Sequence, residues 1–409
     1  MEHAILVLNA GSSSIKFAVY RRSNKNTLDV LYRGEIDGIG QQGRFVIQKT
    51  SESVTTSGAF LLDEKISVIK HEDALLILFD WIEQHTSELQ FIAAGHRVVH
   101  GGIDFSGPVI MDAKVETQLE KLIPLAPLHQ PHHLAAIRTL HQLKPEMVQV
   151  ACFDTAFHRS MPLVEQIYAI PRIFFKTGIR HYGFHGLSYE YIARVLPDYL
   201  DKAAQGRVIV AHLGHGASMC ALKDGKSMAT TMTFTPLDGL PMGTRSGSVD
   251  PAVVLYLQRE KGMTVEAVSD LLHNQSGLLG MSGISSDMQE LLASDHPHAV
   301  EAVELFVYRV ARELGSLAAA LGGLDALVFT AGIGEHAPSV RAKICHAATW
   351  LGVCLDEIAN QRNESRITEA NSPVSAWVIP TNEELIIAQQ AYTLASARLD
   401  IEQPLADSH

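Results

Sequence analysis

The sequence has few cysteines, no long uninterrupted run of apolar residues and no surplus of basic residues. Its four cysteines, Cys152, Cys220, Cys345 and Cys354, show no C-x-x-C spacing, which excludes that zinc or redox motif and predicts reduced, buried thiols. No segment reaches the run of about 18 apolar residues that spans a bilayer, and the chain does not begin with a basic region and a signal-type apolar stretch. With a net charge of −12, the chain is not expected to bind nucleic acid. We therefore predict a cytoplasmic protein without a membrane or nucleic-acid partner, in which an anionic ligand needs a local positive pocket.

The start of the chain predicts a buried β-hairpin with a polar tip. Residues 4–8 and 15–20 are apolar runs, and residues 9–14 between them read NAGSSS. Glycine lets a backbone approach a ligand closely, and amides and hydroxyls in such a turn form an anion-binding concavity. Lys16 adds a point charge suited to phosphate. An ordinary serine-rich hairpin remains the alternative at this point.

A second copy of this pattern predicts a duplicated fold. Residues 208–218 again form an apolar run that enters a Gly/Ser turn, and at 409 residues the chain is long enough for two domains. Strands alternate with helices, which indicates an α/β architecture with two related domains facing each other across a cleft. We expect helices over 73–90 and 297–321 and strands over 148–153, 326–330 and 376–379. A third Gly-rich turn, over 330–334, follows a strand, and three such turns favour a bound nucleotide over simple tight turns.

Several charged or polar residues lie at strand ends or in Gly-rich loops, where they could carry chemistry. Arg97 suits bidentate capture of a carboxylate or phosphate, although a structural ion pair is an equal alternative. Arg245 and His185 are flanked by glycines, which predicts that His185 points outward, and Asp154 ends a buried strand. The cluster at residues 129–133 (HQPHH) fits no standard zinc spacing. The remaining candidates are Asn9 and Glu383, two possible oxygen ligands for Mg²⁺.

These motifs resemble the acetate and propionate kinase family over nearly the whole chain. The resemblance rests on residues 8–17 (LNAGSSSIKF), 95–102 (GHRVVHGG), 153–158, 182–186, 242–245, 332–335 and 380–384. It implies the duplicated two-domain fold of actin, Hsp70 and the sugar kinases, which is ribonuclease H-like, with a central cleft. It also implies an N-terminal domain of residues 1–153 and 386–409 on the acyl side, and a C-terminal domain of residues 154–385 for nucleotide binding and dimerisation.

The resemblance further implies reversible, Mg²⁺-dependent phosphoryl transfer (with Mn²⁺ as a possible substitute) from ATP to acetate, giving ADP and acetyl phosphate, in a cytoplasmic homodimer. Arg97 would bind the acetate carboxylate, and Val99, Leu128, Phe184 and Pro236 would surround its methyl group. The implied catalytic residues are Asp154, His185 and Arg245, and the implied metal ligands are Asn9 and Glu383. The implied nucleotide-binding residues are Ser12, Ser14, Lys16, His212, Leu213, Gly214, His215, Gly216, Asp287, Met288, Gln289, Gly332, Ile333, Gly334, Glu335 and His336.

Acetate is already ionised at neutral pH, because its pKa is close to the value of roughly 4 for a glutamate side chain. No general base is then needed, so we interpret Asp154 as a residue that orients His185, Arg245 or metal-bound water.

The chain departs from the family pattern at four positions, His215, Gln289, His336 and Gln130. At the first three, on the nucleotide side, relatives usually have asparagine, arginine and asparagine, which leads us to hypothesise altered affinity for ATP or use of another nucleotide or pyrophosphate. Gly332, which leaves room for adenosine, argues against pyrophosphate. Propionate is the alternative substrate, since one methylene changes discrimination by only about 1–3 kcal/mol. A non-catalytic nucleotide switch of the same fold is a third alternative, and it would not need Arg97, His185 and Arg245 together.

Overall fold

The computed structural model describes residues 2–23, 27–50, 60–200 and 204–406. The chain forms two compact units, the first made of Met1–Ala156 with Asn382–His409 and the second of Phe157–Thr381. The sequence-based boundaries, at 153/154 and 385/386, are close to these, but the structure has Asp154 and Glu383 in the first unit rather than the second. The assignment of acyl substrate and nucleotide to separate domains stays a prediction.

The first unit is built on one eight-stranded sheet. Its strands are β1 (Glu2–Ala10), β2 (Ile15–Arg22), β3 (Leu28–Asp37), β4 (Gln41–Lys49), β5 (Phe60–Val68), β6 (Leu89–Val98), β7 (Val109–Ile110) and β8 (Val148–Phe153). They lie in the order β5-β4-β3-β2-β1-β6-β8-β7. β1 and β2 form the predicted antiparallel hairpin, in which Asn9 pairs with Lys16, while β6 runs parallel to β1 and to β8. Part of the β-rich stretch predicted over 28–70, residues 51–59, lies outside the described residues.

Helices cover both faces of this sheet, which is why β1 is apolar almost throughout. The helices are α1 (His71–His85), α2 (Ala113–Glu120), α3 (Gln130–Leu143) and α15 (Glu383–Ala406). Leu6 and Leu8 of β1 share a core with Leu78 of α1 and Leu140 of α3. On the other face α15 packs closely on Gly95, where a Cβ atom would lie 2.6 Å from the Ile387 side chain.

The second unit is built on a five-stranded sheet. Its strands are β9 (Arg207–Leu213), β10 (Ala217–Lys223), β11 (Lys226–Thr230), β12 (Ala326–Thr330) and β13 (Ser375–Val378), and they lie in the order β11-β10-β9-β12-β13. The helices of this unit are α4 (Leu163–Gln166), α5 (Arg172–Lys176), α6 (Gly186–Leu200), α7 (Pro251–Arg259), α8 (Val265–Asn274), α9 (Gly277–Ser282), α10 (Met288–Leu292), α11 (Pro297–Leu321), α12 (Ala331–His336), α13 (Pro338–Ala347) and α14 (Glu357–Gln361). Ile192 and Leu196 of α6 pack on Val208 and Val210 of β9. The bounds predicted for α11 and β12 are confirmed.

The two units repeat one strand arrangement. In each, three antiparallel strands (β3-β2-β1 and β11-β10-β9) are followed by two parallel ones (β6-β8 and β12-β13). The turns that join β1 to β2 and β9 to β10 occupy equivalent places in this arrangement. We call residues 11–14 the first hairpin tip and residues 214–216 the second hairpin tip. The duplicated α/β fold predicted from the sequence is therefore confirmed.

Three local predictions were wrong. The helix expected over 73–90 ends at His85, because the backbone of Thr86 leaves the helical region with φ −136° and ψ 36°, and its hydroxyl donates to the Ile82 carbonyl. The Gly-rich turn at 330–334 is instead largely the short helix α12. Cys354 is only partly buried, whereas the other three cysteines are buried as predicted. Among the described residues, no helix is both long and apolar enough to cross a membrane.

Candidate active site

In the first unit, Arg97 and Asp154 form a close ion pair at the ends of neighbouring parallel strands. Arg97 is the penultimate residue of β6 and Asp154 directly follows β8. The Arg97 guanidinium donates to both carboxylate oxygens of Asp154 at 2.8–3.1 Å. The Asp154 side chain is 2% exposed and that of Arg97 is 24% exposed. Burial disfavours the charge on Arg97, but Asp154 and Glu383 outweigh this and raise the pKa of Arg97.

This pair gives Asp154 a role that the sequence did not reveal. A carboxylate held against a guanidinium in this bidentate geometry fixes the plane of the guanidinium. One edge of Arg97 is thereby oriented while part of the side chain still reaches solvent. Asp154 is therefore placed to orient Arg97, a partner that our sequence-based interpretation did not include.

The candidate metal ligands, Asn9 and Glu383, also belong to the first unit. Asn9 lies at the end of β1 and Glu383 is the first residue of α15. The nearest Glu383 oxygen lies 3.9 Å from Arg97 Nη1, which is too long for a hydrogen bond. An amide oxygen and a carboxylate are hard oxygen donors that fit Mg²⁺, which takes one or two protein groups and completes its shell with phosphate and water. Among the described residues, no group of three or more His, Cys, Asp or Glu side chains is arranged so that it could hold a metal ion.

The histidines near residue 130 have structural partners. Nδ1 of His133 accepts a hydrogen bond from the Val99 amide at 3.1 Å, and burial lowers the pKa of His133 well below its ordinary value. The ring of His132 stacks on that of His71. Gln130 is fully buried and donates to the His100 carbonyl. The polar residues predicted as a cluster at 129–133 therefore include side chains that pack α3 against its neighbours.

The other predicted residues of the first unit lie in two places. Ser12 is exposed and Ser14 is partly exposed on the first hairpin tip, and Lys16 Nζ lies 3.9 Å from a Glu35 oxygen. Of the predicted acyl-pocket residues, Val99 is buried and Leu128 is exposed.

In the second unit, His185 is buried and held in an unusual backbone conformation. Only 8% of the residue is exposed, so the prediction that it points outward was wrong. Its φ angle of 57° is in the left-handed region, which costs a non-glycine residue about 1–3 kcal/mol. Its Nδ1 atom lies 2.8 Å from the Ser218 hydroxyl, and its ring stacks on His212 with centroids 4.2 Å apart. These contacts fix the ring plane and direct Nε2 away from Ser218.

Arg245 and His185 converge beside Gly216 in the second hairpin tip. A Cβ atom at Gly216 would lie 2.6 Å from Arg245 Nη2 and 3.3 Å from His185 Nε2. Any side chain here would therefore displace the guanidinium from this position. The other edge of Arg245 is held by a hydrogen bond of 2.6 Å from Nη1 to the carbonyl of Pro236, one of the predicted acyl-pocket residues. Phe184, another of them, is buried next to His185.

A cavity of about 450 Å³ in the second unit brings together half of the predicted nucleotide-binding residues. Its lining includes Gly214, His215, Asp287, Met288, Gln289, Gly332, Ile333 and His336. A Cβ atom built on Gly332 would meet no atom within 4 Å, so this glycine borders open space. Burial and the charge of Arg245 lower the pKa of His215, while Asp287 acts in the opposite direction.

The predicted residues absent from this lining have other contacts. Leu213 is buried at the end of β9, and Gly334 and Glu335 belong to α12. Glu335 accepts hydrogen bonds from the amides of Ala331 (2.8 Å) and Thr381 (3.2 Å). The Ala331 φ angle of 64° is a strained conformation for alanine, and the Glu335 carboxylate holds it in place.

A chain of hydrogen bonds connects this region to His185. The Thr381 hydroxyl lies 2.8 Å from that of Ser188, which lies 2.8 Å from Nδ1 of His212. His212 in turn stacks on His185. His212, predicted as a nucleotide-binding residue, is therefore also a support for the His185 ring.

Sequence reasoning also missed Arg341, a fully buried residue. Its guanidinium donates to the carbonyls of Gly334 and Glu335 at 2.9 Å and to Asn360 and Asn363. Burial lowers the pKa of Arg341 to about 10. By binding the last carbonyls of α12, Arg341 stabilises this glycine-rich helix against the cavity. Nothing in the local sequence around Arg341 distinguishes it from a surface arginine.

Comparison with known proteins gives consistent matches over nearly the whole chain. A family model described as the acetokinase family matches residues 4–389. The chain is 55% identical over 399 residues to an acetate kinase of Rhodopseudomonas palustris (strain TIE-1), covering 97% of this chain and 99% of that protein. The crystal structure of a propionate kinase from Francisella tularensis subsp. tularensis SCHU S4 matches with a TM-score of 0.88 at 40% identity, over 96% of this chain and 99% of that one. The structure of Porphyromonas gingivalis acetate kinase matches with a TM-score of 0.84 at 35% identity, over 96% and 99% of the two chains.

Proposed function

This chain belongs to the acetokinase family, and we propose that it catalyses reversible, Mg²⁺-dependent transfer of the γ-phosphoryl group of ATP to acetate, giving acetyl phosphate and ADP. The observation that carries this proposal is the convergence of Arg245 Nη2 and His185 Nε2 beside Gly216. Two nitrogen groups at one point suit a transferring phosphoryl group, whose charge spreads over its equatorial oxygens. The adjoining cavity, which includes Gly214 and His215 of the second hairpin tip, would take the nucleoside.

In this mechanism acetate is the nucleophile and needs no general base. At neutral pH it is a carboxylate, because its pKa is close to the value of about 4.3 for glutamate. One carboxylate oxygen forms a bond to the γ-phosphorus while the bond from that phosphorus to the β–γ bridging oxygen breaks. The bridging oxygen leaves with the electron pair as part of ADP, so no proton has to move.

Each side chain then has a role in binding or charge stabilisation. Arg97, oriented by Asp154, would bind the acetate carboxylate, and His185 with Arg245 would stabilise the transferring phosphoryl group. Asn9 and Glu383 would hold Mg²⁺, which neutralises charge on the phosphate oxygens when bound.

Trapping of the product tests the proposal. The protein is incubated with ATP, MgCl₂, acetate and hydroxylamine, and acetyl hydroxamate is measured by its iron complex. We expect hydroxamate that depends on both ATP and acetate. ATP binding without any acyl phosphate would contradict the proposal and favour a non-catalytic nucleotide switch of the same fold.

Propionate is the second candidate substrate, because the Francisella tularensis protein with a similar structure is described as a propionate kinase. Val99, a buried and β-branched residue of the predicted acyl pocket, favours the smaller acid. A pocket that discriminates against one methylene does so by roughly 10- to 200-fold. We therefore expect kcat/KM for acetate to exceed that for propionate by at least about tenfold, and Val99→Ala to reduce the difference. A preference for propionate would contradict this assignment.

The choice of phosphoryl donor depends on the residues that line the cavity of the second unit. His215, Gln289 and His336, the three departures on the nucleotide side, all line the cavity of about 450 Å³. The open space beside Gly332 leaves room for adenosine and argues against pyrophosphate. We propose that these departures alter affinity for ATP or the choice of donor.

A donor panel with ATP, GTP and pyrophosphate tests this part. Gln289→Arg, which supplies the expected cation, should lower KM for ATP and leave KM for acetate unchanged. Preference for ATP in the wild type, with no effect of Gln289→Arg, would contradict altered donor use. A homodimer formed through the second unit and a cytoplasmic location are further proposals, and light scattering in solution tests the first.

A further inference from the structure

In the first hairpin tip, residues 11–14, the carbonyl oxygens of Gly11, Ser13 and Ser14 accept hydrogen bonds from protein donors. The Gly11 carbonyl accepts from Nε2 of His71 at 2.7 Å, and the Ser13 carbonyl accepts from the Ile39 amide at 3.0 Å. The Ser14 carbonyl accepts from the Gly11 amide at 2.7 Å. Carbonyl oxygens carry partial negative charge and would repel a phosphate. With these three oxygens engaged, less negative charge faces an anion at this turn, and the hydroxyls of the exposed Ser12 and Ser13 can donate to it.

His71 is the side chain among these donors. It is the first residue of α1, is partly buried, and stacks on His132 of α3 with ring centroids 5.5 Å apart and an interplanar angle of 27°. A carbonyl can only accept a hydrogen bond, so Nε2 of His71 carries a proton in this contact. Burial lowers the pKa of His132, and so does the proximity of His71. A neutral His132 can remain stacked on His71 and fix the direction of its Nε2–H bond.

We propose that His71 is a positioning residue for phosphate binding by the first hairpin tip. Its ligand would be the polyphosphate of a nucleotide, so the inference rests on the proposed function. His71 keeps the Gly11 carbonyl turned away from the anion, although it does not itself contact the ligand. Its loss would weaken binding of phosphate groups without changing binding of the nucleoside or of acetate.

The test compares His71→Ala, His71→Gln and the control His85→Ala. His85 ends the same helix, where its Nδ1 atom lies 2.8 Å from the Trp81 carbonyl and its ring stacks on that of Trp81, so its replacement deletes a histidine outside the hairpin tip. For each variant, kcat and the KM values for ATP and acetate are measured, and dissociation constants for ATP, pyrophosphate and adenosine are obtained from thermal shifts. A hydrogen bond of this kind predicts a change of about three- to tenfold.

We expect His71→Ala to raise KM and Kd for ATP by about three- to tenfold, with unchanged values for acetate and adenosine. His71→Gln, which keeps an N–H donor, should recover part of the loss, and His85→Ala should behave like the wild type. Unchanged ATP binding in His71→Ala, or an equal loss of adenosine binding, would overturn the inference. If the wild type binds ATP but makes no acetyl phosphate, the proposed function fails while the binding comparison still tests His71.

Discussion

Replacing Asp154 with asparagine distinguishes orientation of Arg97 from removal of a proton during the reaction. The substitution keeps the shape of the side chain but removes its negative charge and replaces one of the two oxygens that accept hydrogen bonds from Arg97 at 2.8–3.1 Å with an amide NH₂ group. Arg97 would then still have the Glu383 carboxylate nearby, with one oxygen 3.9 Å from Nη1. We expect the guanidinium to lose its fixed orientation, and acetate binding to weaken with it.

The structure sets the size of this effect. Removing one member of a fully buried ion pair costs about 3–5 kcal/mol. Because the Arg97 side chain is 24% exposed and Glu383 remains nearby, we expect the lower end of that range. If about 3 kcal/mol were lost in the transition state, kcat/KM for acetate would fall roughly 150-fold.

The assay is the dependence of kcat/KM for acetate on pH, from pH 6 to 9, for the wild type and Asp154→Asn. If Asp154 orients Arg97, the ratio of the two values stays constant with pH. A variant whose rate rises with pH and approaches that of the wild type would refute this reasoning, because hydroxide would then be replacing a missing general base. Asp325→Asn is the matched control, since Asp325 pairs with Arg207 through two nitrogens of the guanidinium in a place that the proposed chemistry does not use.

Three further predictions concern the second unit. Ser218→Ala removes the 2.8 Å contact with His185 Nδ1 and should lower kcat about five- to tenfold with KM values unchanged. The control Ser227→Ala removes a similar 2.9 Å contact with His158 and should retain kcat. Equal losses of kcat in steady-state kinetics would contradict a role for Ser218 in catalysis. Arg341→Met should lower the free energy of unfolding in urea by at least about 3 kcal/mol, because several buried acceptors lose their donor, and a loss below about 1 kcal/mol would contradict this. Burial lowers the pKa of His158 from 6.5 to about 4, so the unfolded chain binds the proton first and stability is lost as pH falls from 6.5 to 4, by up to about 3 kcal/mol. Urea midpoints at pH 7 and 5 should therefore differ less in His158→Gln than in the wild type, and an equal difference would contradict the shift.

Features that depend on neighbouring residues could be predicted from the sequence. The first hairpin follows from two apolar runs around a Gly/Ser turn, and its register pairs Ala10 with Ile15. The long helix α11 has a proline at its first position and Gly322 in the left-handed conformation just after its end, which are the usual start and stop signals. The duplication was also visible, because both hairpins keep the same pattern.

Features that depend on distant residues could not be predicted. The segment 331–336 contains two glycines, which disfavour a helix, yet α12 forms there, and its Glu335 carboxylate accepts a hydrogen bond from the amide of Thr381, 46 positions further along the chain. The link from Thr381 through Ser188 to His212 joins residues 193 positions apart. No spacing rule predicts such contacts, so His212 was interpreted only as a nucleotide contact. His185 was expected to be exposed because glycines flank it, but its neighbours in space bury it.

The two hairpin tips show how duplication and divergence combine in this chain. The strand arrangement is the same in both units, but the first hairpin tip is rich in hydroxyls, and the carbonyls of Gly11, Ser13 and Ser14 accept hydrogen bonds, that of Gly11 from His71. The second hairpin tip has glycine where a side chain would collide with Arg245. One tip can therefore supply hydrogen-bond donors to phosphate from its own turn, while the other makes space for charged groups from elsewhere in its unit. Substitutions at Gly216 should thus affect the reaction through displaced charge, whereas substitutions at His71 should affect it through the conformation of the backbone.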